Sequence, residues 1–164
     1  MSAVQGTTVN IDVAKTEEVT AGQRRRVLIL STVGFTLMFA VWLMFGVLAI
    51  PIRSEFKLDE VQFAWLTAIA ILNGAIWRLL TGILADRFGG RKVFTALLLL
   101  TILPTYMVSR ATSFNELLFY AFLIGLAGNS FSVGIAWNSA WYPREQQGFA
   151  LGVFGAGNVG ASVT

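Results

Sequence analysis

The sequence has 164 residues, of which 55 % are hydrophobic and only 13 % charged, with a net charge of +3 and a mean hydropathy of +0.69. Soluble domains carry about 25 % charged residues, so an ordinary soluble protein is not expected and an integral membrane protein is indicated. The sequence contains no cysteine and no histidine, which excludes disulfides, the usual zinc sites and histidine-based catalysis from this stretch. We predict neither a metal nor a cofactor.

The apolar runs along the chain predict an all-α integral membrane protein. Residues 1–26 are polar and without periodicity, which indicates a flexible cytoplasmic tail rather than a signal peptide. Residues 27–164 contain runs close to the roughly 20 apolar residues that a helix needs to cross a bilayer. They predict a transmembrane bundle with four complete helices and the beginning of a fifth, at about 27–50, 61–85, 93–109, 117–141 and 148–164.

Two prolines and the last residues add detail to this division. Pro51 is expected to close the first span, and Pro104 is expected to interrupt the third. The fifth apolar run still continues at Thr164, with no polar flank after it. We therefore interpret the sequence as the N-terminal part of a longer protein, whose C-terminal half would be its partner in the membrane.

The distribution of positive charge predicts the orientation in the membrane. Seven basic residues flank one side of the predicted spans and three flank the other, where four acidic residues dilute them. The first set is Arg24, Arg25, Arg26, Arg87, Arg91, Lys92 and Arg144, and the second is Arg53, Lys57 and Arg110. Cytoplasmic loops carry the excess of Lys and Arg, so the N-terminus is expected in the cytoplasm. The pI near 9.7 is thus a topology signal rather than a sign of nucleic-acid binding.

Arg78 is the one charged residue inside the second predicted span. A cation in a membrane span costs a few kcal/mol and generally faces a cavity, a partner or an ion pathway. Its planar guanidinium suits an oxyanion such as nitrate, carboxylate or phosphate. The alternative is a snorkelling cation, since Ala85 at the inner end of the span lies about 10 Å away along the helix. Small residues at helical spacing leave room for a cavity or a close helix crossing: Gly74, Ala75, Thr81, Gly82 and Ala85.

The stretch between the second and third spans has an ordered mixture of glycine, aspartate and basic residues that a generic positive-inside loop does not require. Gly89 and Gly90 are expected to permit the turn, and Asp86 to pair with a neighbouring arginine or cap the following helix. The stretch resembles the cytoplasmic loop motif of the major facilitator superfamily, G-x-x-x-D-R-x-G-x-R-[KR]. The matching residues are Gly82, Asp86, Arg87, Gly89, Arg91 and Lys92. The resemblance implies that they help to control closing of the inner gate without contacting substrate.

The beginning of the fifth span is rich in glycine, which lets helix backbones approach closely in membranes. The residues expected to pack in this way are Gly148, Gly152, Gly155, Gly157 and Gly160. The last three also match the dinucleotide fingerprint G-x-G-x-x-G, but this run lies in a membrane span without the required preceding strand and later acid, so we reject that match. Together with residues 128–131, the run resembles the nitrate/nitrite porter branch of the superfamily, whose fifth helix contains G-x-G-N-x-G.

That second resemblance implies a site for a planar anion. Arg78 would grip the anion from the second helix, Phe131 from the fourth would cover its flat face, and Asn158 from the fifth would donate an amide. A second binding arginine, which the family carries in helix eight, has no counterpart in this sequence. From the residues alone, Phe131 fits a packing or lipid-facing ring equally well. Asn129 and Asn138 are expected to hydrogen-bond helices together.

The resemblance implies a secondary transporter that moves nitrate and nitrite across a bacterial inner membrane by alternating access. The first four predicted spans contain no Asp, Glu or His, which favours nitrate/nitrite exchange over proton symport. Another anion porter of the superfamily, for organic acids or phosphate esters, is the alternative within this class. A small membrane anchor or assembly protein is the alternative from a different class. An enzyme is not indicated, because the sequence offers no nucleophile–base pair or metal cluster.

Overall fold

The computed structural model describes residues 20–160, and every regular element in this range is helical. Residues 1–19 of the predicted tail and 161–164 of the predicted fifth span lie outside the described residues. The helices in chain order are α1 (Ala21–Val47), α2 (Ala49–Phe56), α3 (Glu60–Phe88), α4 (Gly90–Val108), α5 (Phe114–Ile124), α6 (Ser130–Trp141) and α7 (Arg144–Gly155). A 3-10 turn, Gly125–Asn129, joins α5 to α6, and a second, Ala156–Val159, follows α7.

Within residues 20–160, four helical segments are long and apolar enough to cross a membrane: Ala21–Val47, Glu60–Phe88, Gly90–Val108 and Phe114–Trp141. They correspond to the four complete predicted spans, so the all-α membrane bundle is confirmed. The last of them comprises α5, the first 3-10 turn and α6. The helix α7 and its 3-10 turn cover the beginning of the predicted fifth span.

Side-chain caps place the first residues of two spans before their apolar runs. Thr20 Oγ1 accepts a hydrogen bond from the backbone N–H of Gln23, and the Gln23 side chain accepts from the backbone N–H of Thr20. Asp59 and Gln62 form the same reciprocal cap before α3. Each cap satisfies backbone donors that a helix start leaves free. Residues 21–26, predicted as part of a flexible tail, are therefore the first turns of α1.

The two prolines have different effects from those expected. The helix α1 ends at Val47, before Pro51, and Pro51 lies in the first turn of α2. At that position its missing N–H removes no helical hydrogen bond. The helix α4 continues through Pro104 to Val108, so the third span is not interrupted. Pro104 lies close to the end of α4, where the lost hydrogen bond affects only the final turns.

Trp42 of α1 brings three segments together. Its Nε1 donates to the carbonyl oxygen of Ala70 in α3 at 3.3 Å. Its ring covers Gly128, where an added Cβ would come within 2.8 Å of it. At Gly125, one turn earlier, an added Cβ would come within 2.8 Å of Asn73 Cβ in α3. The helices α1 and α3 and the first 3-10 turn thus approach one another at glycines, the close contact that small residues permit in a membrane.

In the part of the chain that the structure describes, the buried apolar side chains form two groups, one toward each end of the bundle. The group nearer the α3–α4 turn is built around Phe35, Phe94 and Phe154. The group nearer α2 contains Phe45, Leu66 and Leu117 together with Ile124. Ala127 belongs to the first group and Ile124 to the second, so the 3-10 turn Gly125–Asn129 lies where the two groups meet.

Candidate functional site

Arg78 lies inside the apolar part of α3, in the half of the helix nearer the α3–α4 turn. The next charged residue along α3 is Asp86, eight residues away, which corresponds to about 12 Å along a helix. Because the hydrocarbon core is about 30 Å thick, this distance is close to half of it. The Arg78 side chain is exposed on the surface of the bundle.

The small residues around Arg78 divide into two groups. Gly74, Thr81 and Ala85 are buried against the rest of the bundle. An added Cβ at Gly74 would lie 2.9 Å from the carbonyl oxygen of Gly125, so this group makes the close helix crossing. Ala75 is exposed, and an added Cβ at Gly82 would meet no atom of residues 20–160 within 4 Å. These two residues leave open space on either side of Arg78.

Phe131, in α6, lies at the edge of an aromatic cluster. Its ring centroid is 5.4 Å from that of Phe35 in α1 and 6.0 Å from that of Phe154 in α7. Phe35 and Phe154 are themselves stacked at 4.8 Å. The Phe131 side chain nevertheless remains 36 % exposed. The ring is thus held on one side by packing and is open on the other.

Asn158 lies in the second 3-10 turn and is exposed. The glycine before it faces α1, since an added Cβ on Gly157 would lie 2.6 Å from the ring of Phe35. An added Cβ on Gly160 would overlap the carbonyl group of Thr36. Backbone contact on both sides therefore fixes the turn on α1 and leaves the Asn158 side chain at the surface.

The tripeptide Ala-Gly-Asn occurs twice, at 127–129 and 156–158, and each copy lies in a 3-10 turn that packs on α1. The glycine of the first copy contacts Trp42, and that of the second contacts Phe35. These two aromatic residues are seven positions apart on α1, which places them on the same face of the helix. Sequence reasoning missed this pairing, although the repeated tripeptide is visible in the sequence.

The buried asparagines differ in their hydrogen bonds. Asn138 donates through Nδ2 to Ser31 Oγ of α1 at 2.9 Å, which confirms the predicted bond between helices. Asn129 is also fully buried, but neither of its amide atoms has a hydrogen-bond partner within residues 20–160, so the bond predicted for it is not found there. Asn73 of α3, for which the sequence predicted no role, donates a hydrogen bond to the carbonyl oxygen of Phe122 in α5.

The loop motif occupies the junction of α3 and α4. Gly89 has a φ of 87°, in the left-handed region that favours glycine, so its predicted role in the turn is confirmed. Gly90 is instead the first residue of α4 and lies directly against Trp137, so its small size serves close packing. Asp86 lies inside α3, and the N-cap of α4 is Gly89, which makes no side-chain cap; the predicted cap by Asp86 is therefore wrong.

The remaining charged residues of the motif are at the surface. Arg87, Arg91 and Lys92 are exposed, and the guanidinium of Arg87 lies 5.5 Å from the centroid of the Phe88 ring. Gly82, on the same helix as Asp86, faces open space. This arrangement leaves the motif free to contact another surface, and the gating role implied by the resemblance stays a prediction.

The predicted site residues are only partly brought together. Phe131 and the turn that carries Asn158 share Phe35 as a support. Arg78 lies on α3, and none of the cation–π contacts found within residues 20–160 involves it. Among the glycines of the fifth span, close packing occurs at Gly157 and Gly160. For Gly148, Gly152 and Gly155 an added Cβ would meet nothing within 4 Å in this part of the chain, so their packing role stays a prediction.

Comparisons with known proteins identify the family. A family model of the Major Facilitator Superfamily matches residues 24–164. The chain is 73 % identical over 141 residues to a "Probable nitrate/nitrite antiporter NarK1" of Thermus thermophilus, an alignment that covers 86 % of this chain and 32 % of that protein. It is 37 % identical over 140 residues to a "Probable nitrate/nitrite transporter NarK2" of Mycobacterium tuberculosis, covering 84 % and 35 % of the two chains. A third relative is the "Nitrite extrusion protein" of Bacillus subtilis, 33 % identical over 126 residues, which are 77 % of this chain and 32 % of that protein.

The chain spans about a third of the length of these relatives. The matched region nevertheless contains the loop motif and all three residues of the predicted anion site. Its helices make it a multi-pass membrane protein. The chain belongs to the Major Facilitator Superfamily, and its relatives confirm the resemblance to the nitrate/nitrite porter branch.

Proposed function

We propose that the chain is part of a secondary transporter that moves nitrate and nitrite across the bacterial inner membrane, with its N-terminus in the cytoplasm. The names of the relatives support these two anions as substrates. The superfamily supports transport rather than catalysis. The excess of basic residues on one side of the helices supports the orientation.

The position of Arg78 carries the proposal. Its guanidinium is exposed inside the apolar part of α3, with open space at Ala75 and Gly82 on either side. A charge at this depth is costly unless it faces a partner or a cavity. Nitrate and nitrite are planar oxyanions, and the planar fork of a guanidinium can donate two parallel hydrogen bonds to such an anion.

Phe131 and Asn158 complete the proposed anion site. The open face of the Phe131 ring offers a flat apolar wall for a planar anion, while Phe35 and Phe154 hold the ring in place. The exposed amide of Asn158 donates a further hydrogen bond to the anion. Access to the site alternates between the two sides of the membrane, with the loop motif from Gly82 to Lys92 controlling the inner gate.

Exchange of nitrate for nitrite is the proposed mode of transport. None of the four membrane-spanning helices contains a histidine, and their acidic residues lie near the helix ends, at Glu60, Asp86 and Glu116. These spans therefore offer no proton carrier near Arg78. An exchanger needs none, because the charge that enters with one anion leaves with the other.

Uptake of labelled nitrate into nitrite-loaded vesicles that contain the full-length protein tests this proposal. Arg78→Lys keeps the charge but removes the bidentate fork, so we expect the exchange rate to fall about 10-fold or more, as for a lost hydrogen bond to a charged group. Arg53→Lys is the matched control, since Arg53 lies in α2 with its guanidinium 5.7 Å from the Phe63 ring centroid. This change should leave exchange unaltered.

Three results would contradict the proposal in different ways. Exchange that survives Arg78→Lys would make Arg78 a snorkelling cation and leave the substrate assignment intact. An intact protein that exchanges no nitrate would discard the substrate and leave an anion porter with another cargo. Nitrate uptake driven by a pH gradient into vesicles without nitrite would support proton symport against exchange.

A further inference from the structure

An apolar groove runs between α3 and α4 on the outside of the bundle, and we call it the α3–α4 groove. It has a volume of about 510 Å³, and Leu126 of the fourth span also lines it. Its lining includes Trp77, Leu80, Leu84, Phe88, Leu97 and Leu100. Most of these side chains are partly exposed, so the groove is open to the surroundings of the protein.

The length of the groove matches the depth of one membrane leaflet. On α3 the lining extends from Trp77 to Phe88, eleven residues or about 17 Å. On α4 it extends from Lys92 to Leu100, eight residues or about 12 Å. Half of a hydrocarbon core of about 30 Å is about 15 Å. The groove therefore extends from the α3–α4 turn over about the thickness of one leaflet, the depth that one acyl chain of a phospholipid occupies.

Positive charge is concentrated at the end of the groove that meets the membrane surface. Lys92 itself lines the groove and is exposed. The guanidinium of Arg87 lies over Phe88, another lining residue, and Arg91 precedes Lys92 in the chain. Asp86 is the only acidic residue between positions 61 and 115. Basic pockets between membrane helices are the kind of site that holds anionic lipid headgroups.

We propose that the α3–α4 groove binds an anionic phospholipid of the adjoining leaflet. The phosphate lies at Lys92 and Arg87, and one acyl chain follows the leucines of the groove toward Trp77. The site shares no residue with the proposed anion site at Arg78, Phe131 and Asn158, so it does not rest on the transport function. It places a lipid on two basic residues of the loop motif and thereby couples the composition of the leaflet to the α3–α4 junction.

Fluorescence of Trp77 provides a direct test, because bromine atoms on an acyl chain quench a tryptophan that they touch. The full-length protein is reconstituted in vesicles of brominated phosphatidylglycerol or of brominated phosphatidylcholine. The Trp77→Phe variant is measured in parallel, and the difference between the two proteins isolates the Trp77 signal. We expect phosphatidylglycerol to quench Trp77 at lower mole fraction, by about fivefold for each cation that contacts the headgroup.

Two pairs of variants separate the headgroup from the acyl chain. Lys92→Gln should reduce the preference for phosphatidylglycerol about fivefold, whereas Arg144→Gln, an exposed basic residue at the start of α7 outside the groove, should leave it unchanged. Ala96→Phe fills the groove and should remove quenching by both lipids. Thr95→Phe adds the same ring at an exposed neighbouring position that does not line the groove, so quenching by both lipids should remain.

Two outcomes would overturn the proposal. Equal quenching by both lipids that does not respond to Lys92→Gln would show that any lipid fills the groove without recognition of its headgroup. The absence of quenching by either lipid would show that another part of the protein covers the groove. Because Lys92 is exposed, Lys92→Gln tests the proposal even if Ala96→Phe impairs folding.

Discussion

Buried amides in a membrane bundle have to find hydrogen-bond partners inside the protein, because lipid offers none. Asn138 donates a hydrogen bond to Ser31 Oγ of α1, and Asn73 donates one to the carbonyl oxygen of Phe122. Asn129 is as deeply buried as these two, yet both of its amide atoms are unsatisfied within residues 20–160. An unsatisfied buried amide opposes folding. The first 3-10 turn thus contains a polar group that the described bundle does not stabilise.

We expect opposite effects on stability from the same change at Asn129 and at Asn138. Asn138→Leu removes the hydrogen bond to Ser31 and should lower the free energy of unfolding by about 1 kcal/mol. Asn129→Leu removes two unsatisfied polar atoms and should leave that free energy unchanged or raise it. Thermal unfolding of both variants of the full-length protein in one detergent measures the difference. Equal destabilisation by both changes would mean that Asn129 has a partner beyond residues 20–160.

The candidate site residues were unequally visible in the sequence. A single arginine in an apolar span is conspicuous by its charge, so Arg78 was predicted as a candidate functional residue without any comparison. Phe131 is one of 13 phenylalanines, and only the resemblance distinguished it from a packing ring. Its contacts with Phe35 and Phe154 depend on three helices that are distant in the sequence. Asn73 was missed because its partner is a backbone carbonyl, which no sequence pattern reveals.

Among the helices, the number and centres of the spans followed from composition, because bilayer thickness sets how long an apolar run must be. The first residues of the spans could not be predicted from composition, because polar caps such as Thr20 and Asp59 lie outside the apolar runs. The helix α2 was not predicted because it contains Pro51. Proline disrupts the interior of a helix but is tolerated in its first turn, where Pro51 lies. Both 3-10 turns were also missed, since their close packing on α1 is a tertiary contact.

The second 3-10 turn should be sensitive to a single added methyl group. Gly157→Ala would place a Cβ 2.6 Å from the Phe35 ring, which must move and carry Phe131 and Phe154 with it. Overpacking of this kind costs about 1–3 kcal/mol. We therefore expect a lower melting temperature and a reduced rate of nitrate exchange in the full-length protein.

Gly46→Ala is the matched control for this change. Gly46 also lies in a helix, and an added Cβ there would meet nothing within 4 Å among the residues that the structure describes. This variant should match the parent protein in both melting temperature and exchange. A Gly157→Ala variant that behaves like Gly46→Ala would show that the second 3-10 turn does not depend on contact with Phe35.

Taken as a unit, the bundle buries aromatic and aliphatic side chains in two groups and leaves Arg78 at its surface. This exposure is unfavourable for a 164-residue chain alone in lipid, since membrane-insertion measurements assign about 2.5–3.5 kcal/mol to an arginine at the centre of a helix. The guanidinium of Arg78 is therefore favourable for the proposed anion binding but unfavourable for the isolated chain in the membrane.

The Arg78→Leu variant separates the effect on anion binding from the effect on the isolated chain. In the isolated chain, reconstituted in lipid bicelles, the change removes an exposed cation from the apolar layer and should favour the membrane-inserted state by about 2–3 kcal/mol. In the full-length protein the same change should abolish nitrate exchange, because the anion loses its guanidinium. Arg25→Leu, at an exposed position in the first turns of α1, should affect neither measurement appreciably. If Arg78→Leu instead destabilised the isolated chain, the guanidinium would have a partner within that chain and would not be free to bind an anion.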